Sequence, residues 1–314
     1  MRTTEEQAKL LALCKLKGAS WYLLAREAQR PDGIDRLWNG ETLEVSDEAD
    51  KAKTIIRASR EDLTRHMAAA QADVDRSARN GARLITVLDE DYPPTLRLIY
   101  NLPPFLFVRG HIAEADLRSV AVVGTRQASD IGLRRARNMA TLLTERGVTV
   151  VSGLARGIDT AAHTAALEAG GRTIAVVGTG ILRCYPAENR PLQEQIIDKG
   201  AGAVVSQFWP DAPGATYTFP RRNVTMSGIA QGSVVIEASS TSGAKMQARI
   251  ALDHGKKVFL LRSLTEAQPW AEKYVATRGA IMVDKVEDVI AALSEPDRVH
   301  QADARRHQLA LDFG

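Results

Sequence analysis

Five cations, Arg126, Arg156, Arg221, Arg222 and Lys245, lie close after short Val/Ile-rich runs, in stretches where a helix is about to begin. Around them stand small residues and one aromatic: Gly124 and Thr125 before Arg126, Ser152 and Gly153 before Arg156, and Phe219 and Asn223 about the Arg221–Arg222 pair in "TFPRRNVTMSG". Small residues let backbone N–H groups approach a ligand, helix starts favour anions, and guanidinium forks match phosphate oxygens. The chemistry these residues could do is therefore the holding of a phosphate with an aromatic face beside it. Each feature alone has an ordinary reading, since a strand–glycine turn occurs in every doubly wound sheet and a lone arginine after a strand is usually a surface residue. Convergence of like charge on one edge carries the argument. Catalytic patterns are missing. No GxxxxGK is present, "GTGILR" lacks the third glycine of a dinucleotide fingerprint, Ser152 sits in no G-x-S-x-G, and no His/Cys cluster has zinc spacing. We expect no catalytic residue, metal or cofactor. Asp159 reads as an N-cap and His163 as a packing or surface residue.

The elements that must position these groups follow from periodicity. "SVAVVGT", "VTVVSG", "TIAVVGTG", "AVVSQF", "SVVIEAS", "KVFLLRS" and "AIMV" are continuous apolar runs, as in strands covered on both faces, and each precedes a helix-like segment. Alternation of this kind predicts an α/β fold with a doubly wound parallel sheet, whose ligands bind beyond the carboxyl ends of the strands. Ahead of it, "ARLITVLDEDYPPTLRLI" and "NLPPFLFVRG" read as two further short strands with a turn at Tyr92-Pro93-Pro94. Residues 1–80 read as a small helical domain, with one helix in "EEQAKLLALCKLKG", one capped by Ser20, and a long one ending at Gly81. Its "KLKGASWY" turn has one glycine where a phosphate-gripping hairpin wants two, so it reads as a structural or protein-contact module. Residues 81–295 form the sheet domain, and 296–314 read as a flexible polar tail.

The chain has 314 residues with ordinary hydrophobic and charged fractions, 45% and 25%, and a net charge of only +3. A polyanion site must come from local clustering. Two distant cysteines favour a reducing compartment, and neither a signal-peptide core nor a membrane-length apolar run is present, so a cytoplasmic protein is expected.

The ordered set "LITVLDEDYPPTL", "PPFLFVRG", "VAVVGTR", "VVSGLARGIDTAAHTAAL", "GTG…CYPAEN" and "FPRRN" resembles the DprA/Smf family of bacterial DNA-processing proteins, from about residue 82 to 294 and more faintly through the N-terminal helices. The resemblance implies an extended Rossmann-like domain behind a degenerate SAM-like one, and a non-enzymatic protein of natural transformation that binds single-stranded DNA, protects it, dimerises and helps load RecA recombinase. By motif, Arg126, Arg222 and Asn223 would line the DNA pocket, Ser152, Gly153 and Arg156 would shape its floor, and Phe219 would offer a stacking face. The sequence departs from the family at Val224, where an arginine is usual and Arg221 could substitute. It departs again at Gly243-Ala244-Lys245-Met246-Gln247, where G-S-L-x-T is common, and in ending without the winged helix of many members. A nucleotide sensor or phosphoribohydrolase-like enzyme using Glu237 is the alternative reading, and an interaction adaptor with a vestigial pocket is a third. In the tail, Gln308, Leu309, Leu311 and Phe313 resemble the hexapeptide Q-L-x-L-x-[LF] through which many bacterial replication and repair proteins bind the sliding clamp; the alternative is that Leu309, Leu311 and Phe313 fold back onto the body.

Overall fold

The first helix is closed at its start by a reciprocal pair, the Thr4 hydroxyl accepting from the Gln7 N–H and the Gln7 side chain accepting from the Thr4 N–H. It opens a computed structural model that describes residues 2–198 and 200–312. Five helices come first: α1 (Glu5–Cys14), α2 (Trp21–Ala28, capped by Ser20), α3 (Gly33–Trp38), α4 (Asp47–Ala58) and α5 (Leu63–Arg79). The single long helix expected before Gly81 is thus two, parted by a 3-10 turn at Arg60–Asp62. The stripe Ala49, Ala52, Ile56 has only Ser59 and Arg60 at its next positions, so burial gives the chain no reason to continue straight there.

Among the described residues the sheet has nine strands: β1 (Ala82–Thr86), β2 (Phe105–Gly110), β3 (Ser119–Val123), β4 (Thr149–Ser152), β5 (Thr173–Val176), β6 (Gly202–Ser206), β7 (Gly232–Val235), β8 (Lys257–Leu261) and β9 (Ile281–Val283). Their order is β1-β2-β6-β5-β4-β3-β7-β8-β9. β3 to β9 are parallel, as their continuous apolar runs predict; β1 and β2 extend the sheet antiparallel, β2 pairing with β6. After α6 (Pro94–Arg97), the helices are α7 (Asp130–Glu145), α8 (Ile158–Glu168), α9 (Arg190–Asp198), α10 (Thr218–Ile229), α11 (Gly243–Asp253), α12 (Arg262–Ala267), α13 (Pro269–Arg278) and α14 (Val286–Ile290). The order of parallel strands reverses between β3 and β7, which opens a crevice above their carboxyl ends.

One apolar cluster runs from Leu10, Leu13 and Leu24 through Phe105 and Phe107 to the central strands, so the N-terminal helices share the sheet's core. Trp21 and Trp209 join them over Phe105, with ring centroids 5.1 and 4.8 Å from it. Residues 296–312 form a helix, α15 (Pro296–Asp312), where a flexible tail was expected. Its attachments are mostly polar, which hides them from a periodicity reading: His300 Nε2 lies 2.6 Å from Glu114, Arg306 donates to Gln29 at 3.1 Å, and Asp303 faces Arg97 at 3.9 Å. Val299 is buried beneath them. In the hexapeptide, Gln308 and Leu309 belong to this helix, while the Leu311 side chain and Phe313 lie outside the described residues. Among the described residues no helix is long and apolar enough to cross a membrane.

Candidate nucleic-acid interface

A cavity of about 600 Å³ opens at the switch point, lined by Gly124, Thr125, Arg126, Arg156, Phe219, Arg222 and Asn223 among others. Three of the five cations meet here. Arg222, at the first turns of α10, is only 7% exposed. Its Nη1 donates to the Val176 carbonyl at 2.9 Å, and its Nε, buried, has no partner among the described residues. A buried guanidinium with an unused donor beside an open cavity is a ready anion site, since its desolvation has already been met in folding.

Glycine makes this placement possible. A Cβ on Gly153 would lie 1.6 Å from Arg222 Nη1, so the guanidinium rests directly on that backbone. A Cβ on Gly124 would meet Ile158 at 2.3 Å, which lets α8 close up against the end of β3. The loop between β4 and α8 also holds Leu154 at φ 55°, a left-handed conformation that a leucine adopts only under constraint. Asp159 supplies part of that constraint. Its carboxylate accepts from the N–H of Gly153 at 3.1 Å and of Ala155 at 3.4 Å, so it ties the loop down instead of capping α8, whose N-cap is Gly157. Burial raises the Asp159 pKa, opposed by the charge of Arg222, and burial lowers that of Arg222.

Phe219 lies one turn before Arg222, on the same face of α10. Its ring packs against Gly178, where a Cβ would come within 2.7 Å, and beside Tyr185 at 5.8 Å between centroids. The exposed Arg126 guanidinium lies 5.3 Å above the same ring. Arg126 is presented by a turn fixed at both neighbours: the Thr125 N–H donates to the Glu237 carbonyl at 2.7 Å, and the Thr125 hydroxyl accepts from Gln127. Arg156 lines the rim, paired with Glu188 at 2.7 Å.

Three candidates lie elsewhere. Ser152, fully buried, donates its hydroxyl to the Val122 carbonyl at 2.7 Å and braces the sheet; as the last residue of β4 it points opposite to its neighbour. Lys245 is turned away by the Ser242 cap of α11, its Nζ near the Ser240 carbonyl at 3.1 Å and 5.8 Å from the Trp270 ring centroid. Arg221 faces the α1–α2 turn, one residue and about 100° round the helix from Arg222. The structure adds Met226, Ser239, Ser242 and Gln247 to the pocket wall. Gln247 stands one helical turn from Gly243, and that i, i+4 spacing was the available signal. The Glu237 carboxylate is engaged by the Ser129 hydroxyl at 2.8 Å and backbone N–H, joining the end of β7 to the start of α7. Among the described residues no group of acidic, His or Cys side chains could hold a metal ion.

His163, beneath the pocket floor in α8, is fully buried with Nδ1 2.7 Å from the Thr173 hydroxyl. Burial, aided by the charge of Arg222, lowers its pKa from 6.5 to about 3. As pH falls below 6.5, the unfolded chain takes up a proton there that the folded chain refuses, so stability is lost toward pH 3. Between pH 7 and 5 the loss from this group is about 2 kcal/mol. Urea midpoints at the two pH values should therefore lie closer together for His163→Leu than for the unaltered chain.

The sheet and its helices define a protein of Rossmann-like architecture, with a basic pocket at the switch point where such folds take their ligands. Residues 83–294 match the family model for DNA recombination-mediator protein A, and the chain belongs to that family. It is 40% identical over 212 residues to protein Smf of Escherichia coli, which is 67% of this chain and 56% of that protein. With DNA processing protein DprA of Streptococcus pneumoniae it shares 37% identity over 207 residues, 66% of this chain and 72% of that one. It therefore spans little more than half the length of the E. coli relative. The X-ray structure of the S. pneumoniae protein superposes with a TM-score of 0.71 at 28% identity, covering 94% of this chain and all of that one. A structure of DNA processing protein A from Helicobacter pylori, described as giving insight into its single-stranded DNA binding mode, has the same fold, with a TM-score of 0.59 at 22% identity over 67% of this chain and 94% of that one.

Proposed function

We propose that the protein binds single-stranded DNA at the switch-point pocket with little regard to sequence, without chemistry on the strand, and acts as a DNA-processing protein that protects strands and helps load RecA recombinase. The buried Arg222 guanidinium, its Nε without a partner among the described residues and Phe219 lining the same cavity, is the observation that carries this reading. A phosphate on Arg222 and Arg126 with a base against Phe219 needs a strand whose bases are free to turn outward, which a duplex does not offer. Support also comes from the Helicobacter pylori relative, described as binding single strands, and from the recombination-mediator family. Three further readings belong to the same proposal: homodimerisation, from the family resemblance; a cytoplasmic setting, from the two distant cysteines and the absence of a signal-like or membrane-length run; and a sliding-clamp contact, from the hexapeptide that begins at Gln308.

The test is a titration against single-stranded, duplex and mononucleotide ligands at two salt concentrations. Single strands of different sequence should bind alike and tighter than duplex, and Phe219→Ala should weaken them by about 1–3 kcal/mol, the usual worth of one stacked base. Equal affinity for duplex and single strands, or turnover of the mononucleotide, would overturn the reading.

A further inference from the structure

A second cavity, of about 490 Å³, lies on the other side of the first turn of α10, between that helix and the α1–α2 turn. Its polar lining is made largely of donors. Arg221 and the exposed Lys17 have no carboxylate partner among the described residues, and Gln207, 1% exposed, has its buried Nε2 without a hydrogen bond. Lys15, at the same cavity, is held by Asp73 at 2.6 Å, and Glu48 at its rim is paired with Arg26 at 3.0 Å. The Ser20-capped start of α2 borders it, so the helix end adds its positive pole to the unpaired cations. An aromatic accompanies the charge as it does in the first pocket. Tyr217, 65% exposed, lies 6.0 Å below the Arg221 guanidinium, and Tyr22 lines the cavity wall. Helix geometry links the two cavities. Phe219 and Arg222 lie three apart on one face of α10, the exposed Arg221 lies about 100° round the helix from Arg222, and Tyr217, at the N-cap, stands one turn before Arg221.

We propose that this cavity is a second phosphate site for the same strand: DNA leaving the switch-point pocket rounds the first turn of α10 and lays its next phosphates between Arg221 and Lys17, with Tyr217 as a stacking face. The inference rests on the single-strand reading above and extends it, since it gives the N-terminal helices a direct part in holding the strand. It also gives Arg221 and Arg222 separate tasks, one for each side of the helix start. Alternating cations and exposed rings along a surface path are what a sequence-tolerant strand needs.

The experiment compares oligonucleotides of about four and about sixteen nucleotides, the range one strand-binding module occupies. Two variants of the full chain are used, Lys17→Glu with Arg221→Glu, and Arg222→Ala, each checked for folding by circular dichroism. The double reversal should weaken the long strand at least tenfold, leave the short strand within twofold, and flatten the salt dependence of the long strand by roughly 0.7 of a log–log unit per lost phosphate contact. Equal loss at both lengths, or no loss at either, overturns the second site. Arg222→Ala should weaken both lengths; if it weakens neither, the single-strand reading fails, and the second site with it.

Discussion

Arg222→Ala should lower affinity for every single strand alike, by ten- to a hundredfold, and reduce the log–log salt slope by roughly 0.7. Hydrogen bonds to a charged group are worth about 1.5–3 kcal/mol, and this guanidinium reaches the strand already desolvated. The same substitution should cost stability. Asp159, 5% exposed, is stabilised in its charged form by Arg222, and without it the buried carboxylate keeps only neutral donors, the Gly153 and Ala155 N–H groups and the Ser152 hydroxyl. Stranding a buried charge costs on the order of 3 kcal/mol. A second variant separates the two effects. Arg222→Met with Asp159→Asn removes both charges while the amide oxygen introduced at that position can still accept from the Gly153 N–H, so stability should return and binding should not. Fluorescence anisotropy with labelled oligonucleotides and urea denaturation measure the two quantities. Unchanged affinity in either variant would remove Arg222 from the site.

The parallel strands and the loops after them are legible in sequence because each depends on a local pattern: an unbroken Val/Ile run, then small residues, then a helical repeat. The antiparallel direction of β1 and β2 is not local. It follows from the pairing of Phe107 with Ser206 across 99 residues of chain, which no periodicity encodes. The site shows the same division. Gly124, Arg126 and Phe219 stand where a strand-end reading puts them. The separation of Arg221 from Arg222 is a matter of one residue of helical phase, and a helix start cannot be placed that finely from composition. Lys245 points away because Ser242 caps α11 where it does, and Ser152 turns inward because strand side chains alternate. Glu237 illustrates a further limit. Its carboxylate is taken by Ser129, 108 residues away, and nothing near "VVIEAS" announces that partner.

Gly153→Ala should reproduce most of the binding defect of Arg222→Ala while keeping every charge. The added methyl would stand 1.6 Å from Nη1 and 2.4 Å from Cζ of Arg222, far inside contact distance. Arg222 cannot yield cheaply, because its Nη1 is tied to the Val176 carbonyl and its side chain is buried. Either the guanidinium swings out of its seat or the β4–α8 loop shifts, and that loop is pinned by Asp159 and carries the strained Leu154. Overpacking of this kind costs about 1–3 kcal/mol of stability. Binding should fall about tenfold or more, with the loss persisting at low salt, since geometry rather than charge has changed. Gly243→Ala is the matched control: it lines the same pocket, its added methyl would meet nothing within 4 Å, and its backbone is not left-handed. That variant should bind as the unaltered chain does and gain about 0.4–1 kcal/mol of stability from a stiffer unfolded state. A folded Gly153→Ala chain with undiminished affinity would mean that the seat of Arg222 on this glycine has no part in gripping the strand.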